Sequence, residues 1–250
     1  MLLATMLLLG AGPVRDLPFT SEAFETFVAG RAGTGKPVYW YCEGEMYKLP
    51  SGELIARMDG VDTARRLPSA KQGVAFQASR KVFRYLDPNT SAELKQVYGR
   101  DLARIAYPYQ YIEYSLSEGK MIATVEQGAG ARLQTVSANQ ARYRLVNGAL
   151  VYSIPLFVSV KLPTRTLNAY ENYDFFFAKG QAPRLSWNRV SDLPPAFGEG
   201  QCVMQLVATR YDRFTDLPQA FRDFIEKDAP LWKAPPVDEA EIRQLQGKKP

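Results

Sequence analysis

The sequence predicts a mainly β protein: a single antiparallel β-barrel or strongly curved sheet with short flanking helices. Strand-forming runs recur at short spacing along most of the chain, and turn residues separate them. Aromatic residues make up 12% of the 250 residues, with 14 Tyr and 13 Phe, and these residue types favour strands. The runs do not alternate with long helical segments, which argues against a parallel α/β sheet.

An apolar segment opens the chain, because residues 1–12 read M-L-L-A-T-M-L-L-L-G-A-G. The run is shorter than the ~20 residues that a membrane-spanning helix needs, and it resembles the apolar core of a secretory signal peptide. No Lys or Arg precedes it, so the predicted signal peptide is one whose basic start is missing. A buried N-terminal strand or helix is the alternative. The signal peptide predicts a periplasmic or secreted protein without a transmembrane span.

Residues 13–236 are predicted to form a single β-rich domain that begins with a helix. Ser21 is the predicted N-cap, and Phe24, Phe27 and Val28 form an apolar stripe at helical spacing. The strand-like runs follow at residues 38–48, 54–58, 73–86, 93–98, 109–116, 121–126, 142–146, 149–154, 156–162, 170–177 and 202–211. The Asn-Gly pair at 147–148 is the strongest hairpin signal between two of these runs.

The C-terminal part returns to helical spacing. Pro218 suits the first turn of a helix over residues 218–227, in which Phe221, Phe224 and Ile225 share one face. Residues 237–250 hold few apolar side chains, so a polar tail is favoured over a further helix.

Composition excludes several kinds of site. The chain has no histidine, which removes Ser-His-Asp and Cys-His nucleophiles and histidine-ligated zinc or haem. Two cysteines are too few for a four-cysteine zinc or iron–sulfur site, so neither a metal nor a cofactor is predicted. Whether Cys42 and Cys202 pair or remain buried thiols stays open. The 31 basic and 26 acidic residues are spread along the chain, so no nucleic-acid partner is predicted.

The first strand supplies candidate site residues. Alternation places Tyr39, Tyr41 and Glu43 on one side of it, where they would line a cavity and orient a ligand. The alternative, which is favoured, is a solvated outer face whose reverse side packs through Trp40 and Met46.

Two later strands combine tyrosine with carboxylates. Their candidate residues are Tyr107, Tyr109, Tyr111 and Glu113, predicted to share one face, and Glu171, Tyr173 and Asp174. Together they would form an aromatic pocket, in which burial raises the pKa of a carboxyl group and lets it act as a general acid. A tyrosine-rich sheet core is the favoured alternative. Trp187 and Arg189, in a loop-like stretch, would bind a ligand carboxylate or clasp one end of the sheet.

The order of several short motifs resembles a known family. They are Gly35-Lys36-Pro37-Val38-Tyr39-Trp40-Tyr41, Phe83-Arg84-Tyr85 with Asp87-Pro88, Trp187-x-Arg189 with Leu193-Pro194-Pro195, and Asp216-Leu217-Pro218. In this order the chain is similar to the bacterial and fungal family catalogued as domain of unknown function 1838, over about residues 20–236. The resemblance implies a single-domain, β-rich and often exported protein, and it carries no catalytic residues.

These observations predict an exported β-barrel-like protein that binds a hydrophobic small molecule in an aromatic-lined cavity. The alternative is a cofactor-independent lyase, isomerase or hydratase that uses a buried Glu or Asp with Tyr partners, so enzymatic activity is left open. A structural protein with a filled core is the third possibility. An enzyme requires a buried carboxylate that opens into the cavity beside Tyr or Arg.

Overall fold

The computed structural model describes residues 16–129, 132–137, 141–161 and 166–247, so the predicted signal peptide lies outside the described residues. The described part contains three short α-helices and a set of β-strands. The helices are α1 (Ser21–Ala32), α2 (Gln219–Asp228) and α3 (Glu239–Leu245). The strands are β1 (Val38–Leu49), β2 (Glu53–Leu67), β3 (Val74–Leu86), β4 (Gln96–Val97), β5 (Arg100–Asp101), β6 (Ile105–Ser117), β7 (Lys120–Ala129), β8 (Arg132–Ser137), β9 (Arg142–Val146), β10 (Ala149–Lys161), β11 (Thr166–Ala178), β12 (Arg184–Asp192) and β13 (Gln201–Tyr211).

One antiparallel sheet dominates the molecule and confirms the predicted mainly β fold. Its eleven strands in the described residues run in the order β8-β7-β6-β3-β2-β1-β13-β12-β11-β10-β9, while β4 and β5 pair separately. The sheet is so strongly curved that β10 approaches β8 and the barrel is nearly closed. The N-terminal segment lies across the remaining gap: the Leu17 amide donates to the Tyr143 carbonyl of β9, and the Phe19 amide donates to Gly119 between β6 and β7.

Helix α1 fills one region of the barrel interior. Phe24, Phe27 and Val28, the predicted apolar stripe, are almost completely buried in the main core. The Trp40 indole of β1 donates to the Arg31 carbonyl at 2.9 Å, which satisfies a carbonyl that the end of a helix would otherwise leave unpaired. Thr20, rather than the predicted Ser21, is the N-cap, because its hydroxyl accepts the Ala23 amide at 3.1 Å.

The other two helices cover the outside of the sheet. Phe221, Phe224 and Ile225 of α2 pack on the outer faces of β1, β2 and β3, as their shared face predicts. Helix α3 forms within the segment for which a polar tail was favoured. Asp238 caps it, and Ile242 is 3% exposed against the outer face of β6.

Strands β2 and β12 differ from the prediction, and residue 44 of β1 must be glycine. Strand β2 continues well past Met58, because its charged side chains have partners on neighbouring elements, as in the bidentate pair between Asp59 and Arg84 of β3. Residues 184–192 form β12 instead of a loop. Glycine is required at residue 44 of β1, because a Cβ there would lie 2.0 Å from the Gln205 carbonyl oxygen of β13.

The two cysteines are free, buried thiols. Cys42 lies opposite Ala208, whereas Cys202 lies opposite Lys48, six residues further along β1. At about 3.4 Å per residue this separates them by ~20 Å, too far for a disulfide. Burial raises the pKa of the Cys42 thiol to about 12, so it stays protonated at neutral pH.

Candidate functional site

The barrel interior contains a cavity with an open mouth. The cavity has a volume of about 110 Å³, measured as the space open to the centre of a water molecule, and this is far more than one water molecule needs. Its lining comes from α1 and from β3, β6, β7, β10, β11 and β12. The interior of the barrel is therefore not completely filled by side chains.

One wall of the cavity is polar and aromatic, and four side chains of β11 and β12 form what we call the Glu171 cluster. Glu171 lies opposite Arg189, and Tyr173 lies opposite Trp187, in the antiparallel register. The Glu171 carboxylate accepts hydrogen bonds from the Tyr173 hydroxyl and, at 3.1 Å, from the Trp187 indole. Arg189 Nη1 is 3.2 Å from its other oxygen. Neighbouring residues of β11 and β12 thus surround one buried carboxylate with two hydrogen-bond donors and one cation.

A second group, the Asp62 cluster, lies beside the first and comprises Arg31, Asp62 and Lys81. Asp62 of β2 lies opposite Lys81 of β3, and α1 brings Arg31 over both. Arg31 Nη2 is 2.6 Å from Asp62 Oδ2, and Lys81 Nζ is 3.6 Å from the same oxygen. The three side chains are each 10% exposed or less. The Lys81 ammonium also lies 5.5 Å from the Tyr173 ring centroid and 5.9 Å from that of Trp187, so cation–π contacts join the two clusters.

Burial sets the protonation of the cavity tyrosines. It raises the pKa of Tyr173 well above its usual value, and the Glu171 carboxylate raises it further. Burial also raises the pKa of Tyr114 on β6 to about 12. Both hydroxyls therefore stay protonated at neutral pH and act as hydrogen-bond donors. For Arg189, burial lowers the pKa, but Glu171 and neighbouring tyrosines more than offset it, so the guanidinium is held in its charged form.

The rest of the lining, which we call the aliphatic wall, is mostly hydrocarbon. Its apolar side chains come from β6, β7 and β10: Ile105, Ile112, Ala123, Val125, Ile154, Leu156 and Val158. The neutral polar pair Gln110 and Gln127 is joined by an amide–amide hydrogen bond of 2.5 Å on the same strands. The cavity is thus amphipathic, with charge and aromatic rings on one wall and hydrocarbon on most of the other.

The structure brings together five of the candidate site residues. The cavity is lined by Tyr107, Glu171, Tyr173, Trp187 and Arg189. Asp174 faces away from it on the same strand as Glu171, where it accepts hydrogen bonds from Asn172 at 2.6 Å and from the Ser153 hydroxyl.

The candidates on β1 lie on the outer face of the barrel. Tyr39 and Tyr41 pack beneath α2, with the Tyr41 ring 5.0 Å from that of Phe221, and the Tyr41 hydroxyl donates to Glu43 at 3.0 Å. The reverse side of the strand packs through Trp40 and Met46, both fully buried in the main core. The arrangement matches the favoured alternative, except that α2 shields the two tyrosines from solvent.

The candidates on β6 do not share one face, which corrects the prediction from strict alternation. The register shifts in the pairing of β3 with β6, where Lys81 lies opposite Tyr107 but Ser79 lies opposite Gln110. Tyr107 therefore lines the cavity, whereas Tyr109 packs with Ile242 of α3 on the outside. Tyr111 and Glu113 lie on that same outer face, and the Tyr111 hydroxyl donates to Glu239 at 3.0 Å.

Sequence reasoning missed the Asp62 cluster. Arg31 is placed by α1, whereas Asp62 and Lys81 lie on β2 and β3. Both faces of these two strands are buried, so their sequences do not alternate between apolar and polar residues in a way that would show which side chains point inward. Among the residues that the structure describes, no three cysteine, aspartate or glutamate side chains converge in a way that would hold a metal ion. Nor is any helix in the described ranges long and apolar enough to cross a membrane.

Comparisons with family models, with curated proteins and with solved structures give no match to this chain. The function of the protein is therefore inferred from the chemistry of the cavity.

Proposed function

We propose that this protein binds a small, mainly apolar molecule inside the barrel. The observation that carries the proposal is the open, amphipathic cavity, which is lined by aliphatic side chains of β6, β7 and β10 and by the rings of Tyr173, Phe175 and Trp187. Concave sites with mostly apolar linings and a few fixed polar groups are the usual binding sites for small molecules. A purely structural barrel of this size would fill its interior with side chains.

We also propose that the protein acts outside the cytoplasm, as the apolar residues 1–12 and the resemblance to an often exported family indicate. The proposal is independent of the cavity. Outside the cytoplasm, an apolar compound needs a carrier to cross the aqueous space, and the cavity would supply one.

A valine-to-tryptophan pair tests binding in the cavity. Val158 lies on the aliphatic wall, and Val207 of β13 is 67% exposed on the outside. The neutral dye Nile red is expected to bind the wild-type protein with increased emission. Val158→Trp fills part of the cavity and is expected to weaken binding by about tenfold or more, which is about 1.4 kcal/mol, because the indole ring occupies space that the dye needs. Val207→Trp makes the same change on the outer surface and is expected to leave the dissociation constant unchanged.

Two results would count against the proposal. Equal affinity in both variants would place the dye outside the barrel. No dye binding by the wild-type protein, together with no compound released on solvent extraction and mass spectrometry, would remove the support for a carrier.

A second candidate function is catalysis on the bound molecule, and the Glu171 cluster is the observation that favours it. A buried carboxylate opens into the cavity with Tyr173 and Arg189 beside it, which is the arrangement that an acid–base enzyme requires. However, Glu171 already accepts two hydrogen bonds and pairs with Arg189, and this favours a role in holding the wall together. The same contacts give a carrier a rigid polar surface.

Glu171→Gln distinguishes the two functions. Incubated with the extracted compound, an enzyme should convert it, and the variant should lose about 10²-fold or more of the rate while still binding Nile red. A carrier shows no conversion by either protein. The melting temperature of the variant is measured alongside, because the substitution also breaks the ion pair with Arg189.

A further inference from the structure

We infer that the bound molecule is an amphiphile with one negatively charged head group of the carboxylate type, and that Lys81 binds this head group. The inference rests on the proposed function and specifies the chemistry of the ligand. Three features of the polar wall support it: its charge balance, its unused donors and its position beside the aliphatic wall.

The charges beside the cavity leave one positive charge in excess. Among the described residues, the cations there are Arg31, Lys81 and Arg189, and the anions are Asp62 and Glu171. Arg189 pairs with Glu171 at 3.2 Å, and Arg31 pairs with Asp62 at 2.6 Å. The Lys81 ammonium lies 3.6 Å from Asp62 Oδ2, the same oxygen that pairs with Arg31, so its own contact is longer and shared. A buried charge without a full counter-charge is unfavourable, and a ligand with one negative charge would remove the imbalance.

The donors of the same group lack acceptors. Lys81 Nζ carries three N–H donors and makes no hydrogen bond within the described residues, its contacts being Asp62 at 3.6 Å and two aromatic faces. Arg31 Nη1 is buried and also has no acceptor. One acceptor, Asp62 Oδ1, is likewise unpaired, but the unused donors outnumber it. A carboxylate supplies two oxygens that accept from such donors, whereas an alcohol supplies one weaker acceptor.

The remainder of the cavity specifies the tail. The aliphatic side chains of β7 and β10, such as Val125, Leu156 and Val158, line the same cavity as Lys81, on strands that do not pair with β3. A head group at Lys81 would leave a hydrocarbon tail against this wall, where apolar surface is removed from water. A cationic amphiphile would add to the excess positive charge, and a neutral one would leave it uncompensated.

Competition among three ligands of equal chain length tests the inference. Decanoate, 1-decanol and decyltrimethylammonium are titrated against Nile red bound to the wild-type protein at pH 7.5, below their micelle concentrations. Decanoate is expected to bind at least about tenfold more tightly than decanol, because its carboxylate accepts charge-assisted hydrogen bonds and a hydroxyl does not. The ammonium compound is expected to bind most weakly.

A matched pair of lysine variants then assigns the head-group site. Lys81→Met keeps the length of the side chain and removes its charge, and is expected to weaken decanoate binding by about tenfold or more while changing decanol binding by less than about threefold. Lys71→Met removes a charge from the exposed surface and is expected to change neither affinity. Far-UV circular dichroism verifies that each variant is folded. If Lys81→Met does not fold, the three-ligand comparison on the wild-type protein still decides whether the head group is an anion.

The outcomes separate this inference from the proposed function. If decanol binds as tightly as decanoate, or if Lys81→Met weakens both ligands equally, the carboxylate assignment is overturned and the apolar carrier remains. If neither the three ligands nor Nile red bind, the carrier function fails as well.

Discussion

Replacement of Asp62 by asparagine is expected to lower the free energy of unfolding by about 3–5 kcal/mol, as is typical when one partner of a buried ion pair is removed. The substitution retains the shape of the side chain but leaves Arg31 and Lys81 beside each other with no anion between them. These side chains are 7% and 10% exposed, so water cannot compensate for the lost carboxylate. Denaturant-induced unfolding at pH 7, followed by tryptophan fluorescence, measures the change.

Two variants show whether charge is the cause. Asp212→Asn removes an acidic partner of Arg210 whose side chain is 77% exposed, and is expected to stay within about 1 kcal/mol of the wild type. The double variant Asp62→Asn/Lys81→Met restores the original charge balance and is expected to recover at least about 1 kcal/mol of the loss. A loss below about 1 kcal/mol for Asp62→Asn would show that the cavity cations do not depend on this carboxylate.

The fold class could be predicted because its signals are local. The Asn-Gly pair at 147–148 forms the turn between β9 and β10, where Asn147 has φ +48° and Gly148 has φ +79°. Alternation in β1 correctly separates the inner Trp40 and Met46 from the outer Tyr39 and Tyr41. Such features depend on residues that are near each other in sequence, so they need no knowledge of the tertiary structure.

The elements that sequence reasoning missed are stabilised by distant contacts. Strand β12 contains Ser, Asn and Arg, and it is held between β11 and β13, where Trp187 and Arg189 find partners. Helix α3 has a single buried apolar residue, Ile242, and the ion pair from Glu241 to Arg80 of β3 holds it against the sheet. In both cases tertiary contacts override weak local preference.

The candidate site was likewise predictable in its residue types but not in its arrangement. Glu171, Tyr173, Trp187 and Arg189 were identifiable as aromatic and charged residues, but their meeting depends on the pairing of β11 with β12. The bulge opposite Arg80 changes which tyrosines of β6 face inward, and nothing in the alternation of that strand indicates it. The inward position of Lys81 could not be predicted for another reason. Helix α2 covers the outer face of β3, so both faces of the strand carry apolar residues.

The polar wall also explains how a charged cavity is compatible with a stable barrel. Asp62 balances cations of α1 and β3, and Glu171 balances a cation of β12. The cation–π contacts of Lys81 with Tyr173 and Trp187 join the two clusters, and with them the N-terminal and C-terminal parts of the sheet. Loss of either carboxylate removes the counter-charge that keeps these cations in place.

Helix α1 gives the second large effect: Phe27→Ala is expected to lower the free energy of unfolding by about 3–5 kcal/mol. Phe27 is fully buried, and its ring centroid lies 5.3 Å from that of Tyr114, 5.2 Å from that of Tyr152 and 5.5 Å from that of Phe175. Truncation removes these contacts and leaves a void, because the surrounding strands are hydrogen-bonded and cannot close over it. Denaturant-induced unfolding measures the loss.

Phe157→Ala is the matched control, because Phe157 is 58% exposed on β10 and its loss is expected to cost less than about 1 kcal/mol. Tyr114 and Phe175 contact Phe27 and also line the cavity, so the void left by Phe27→Ala should open into the binding site. The variant is therefore expected to bind ligands bulkier than those of the wild-type protein, and such a ligand should restore part of the lost stability. A destabilised variant with unchanged ligand size preference would show that α1 closes the barrel without shaping the cavity.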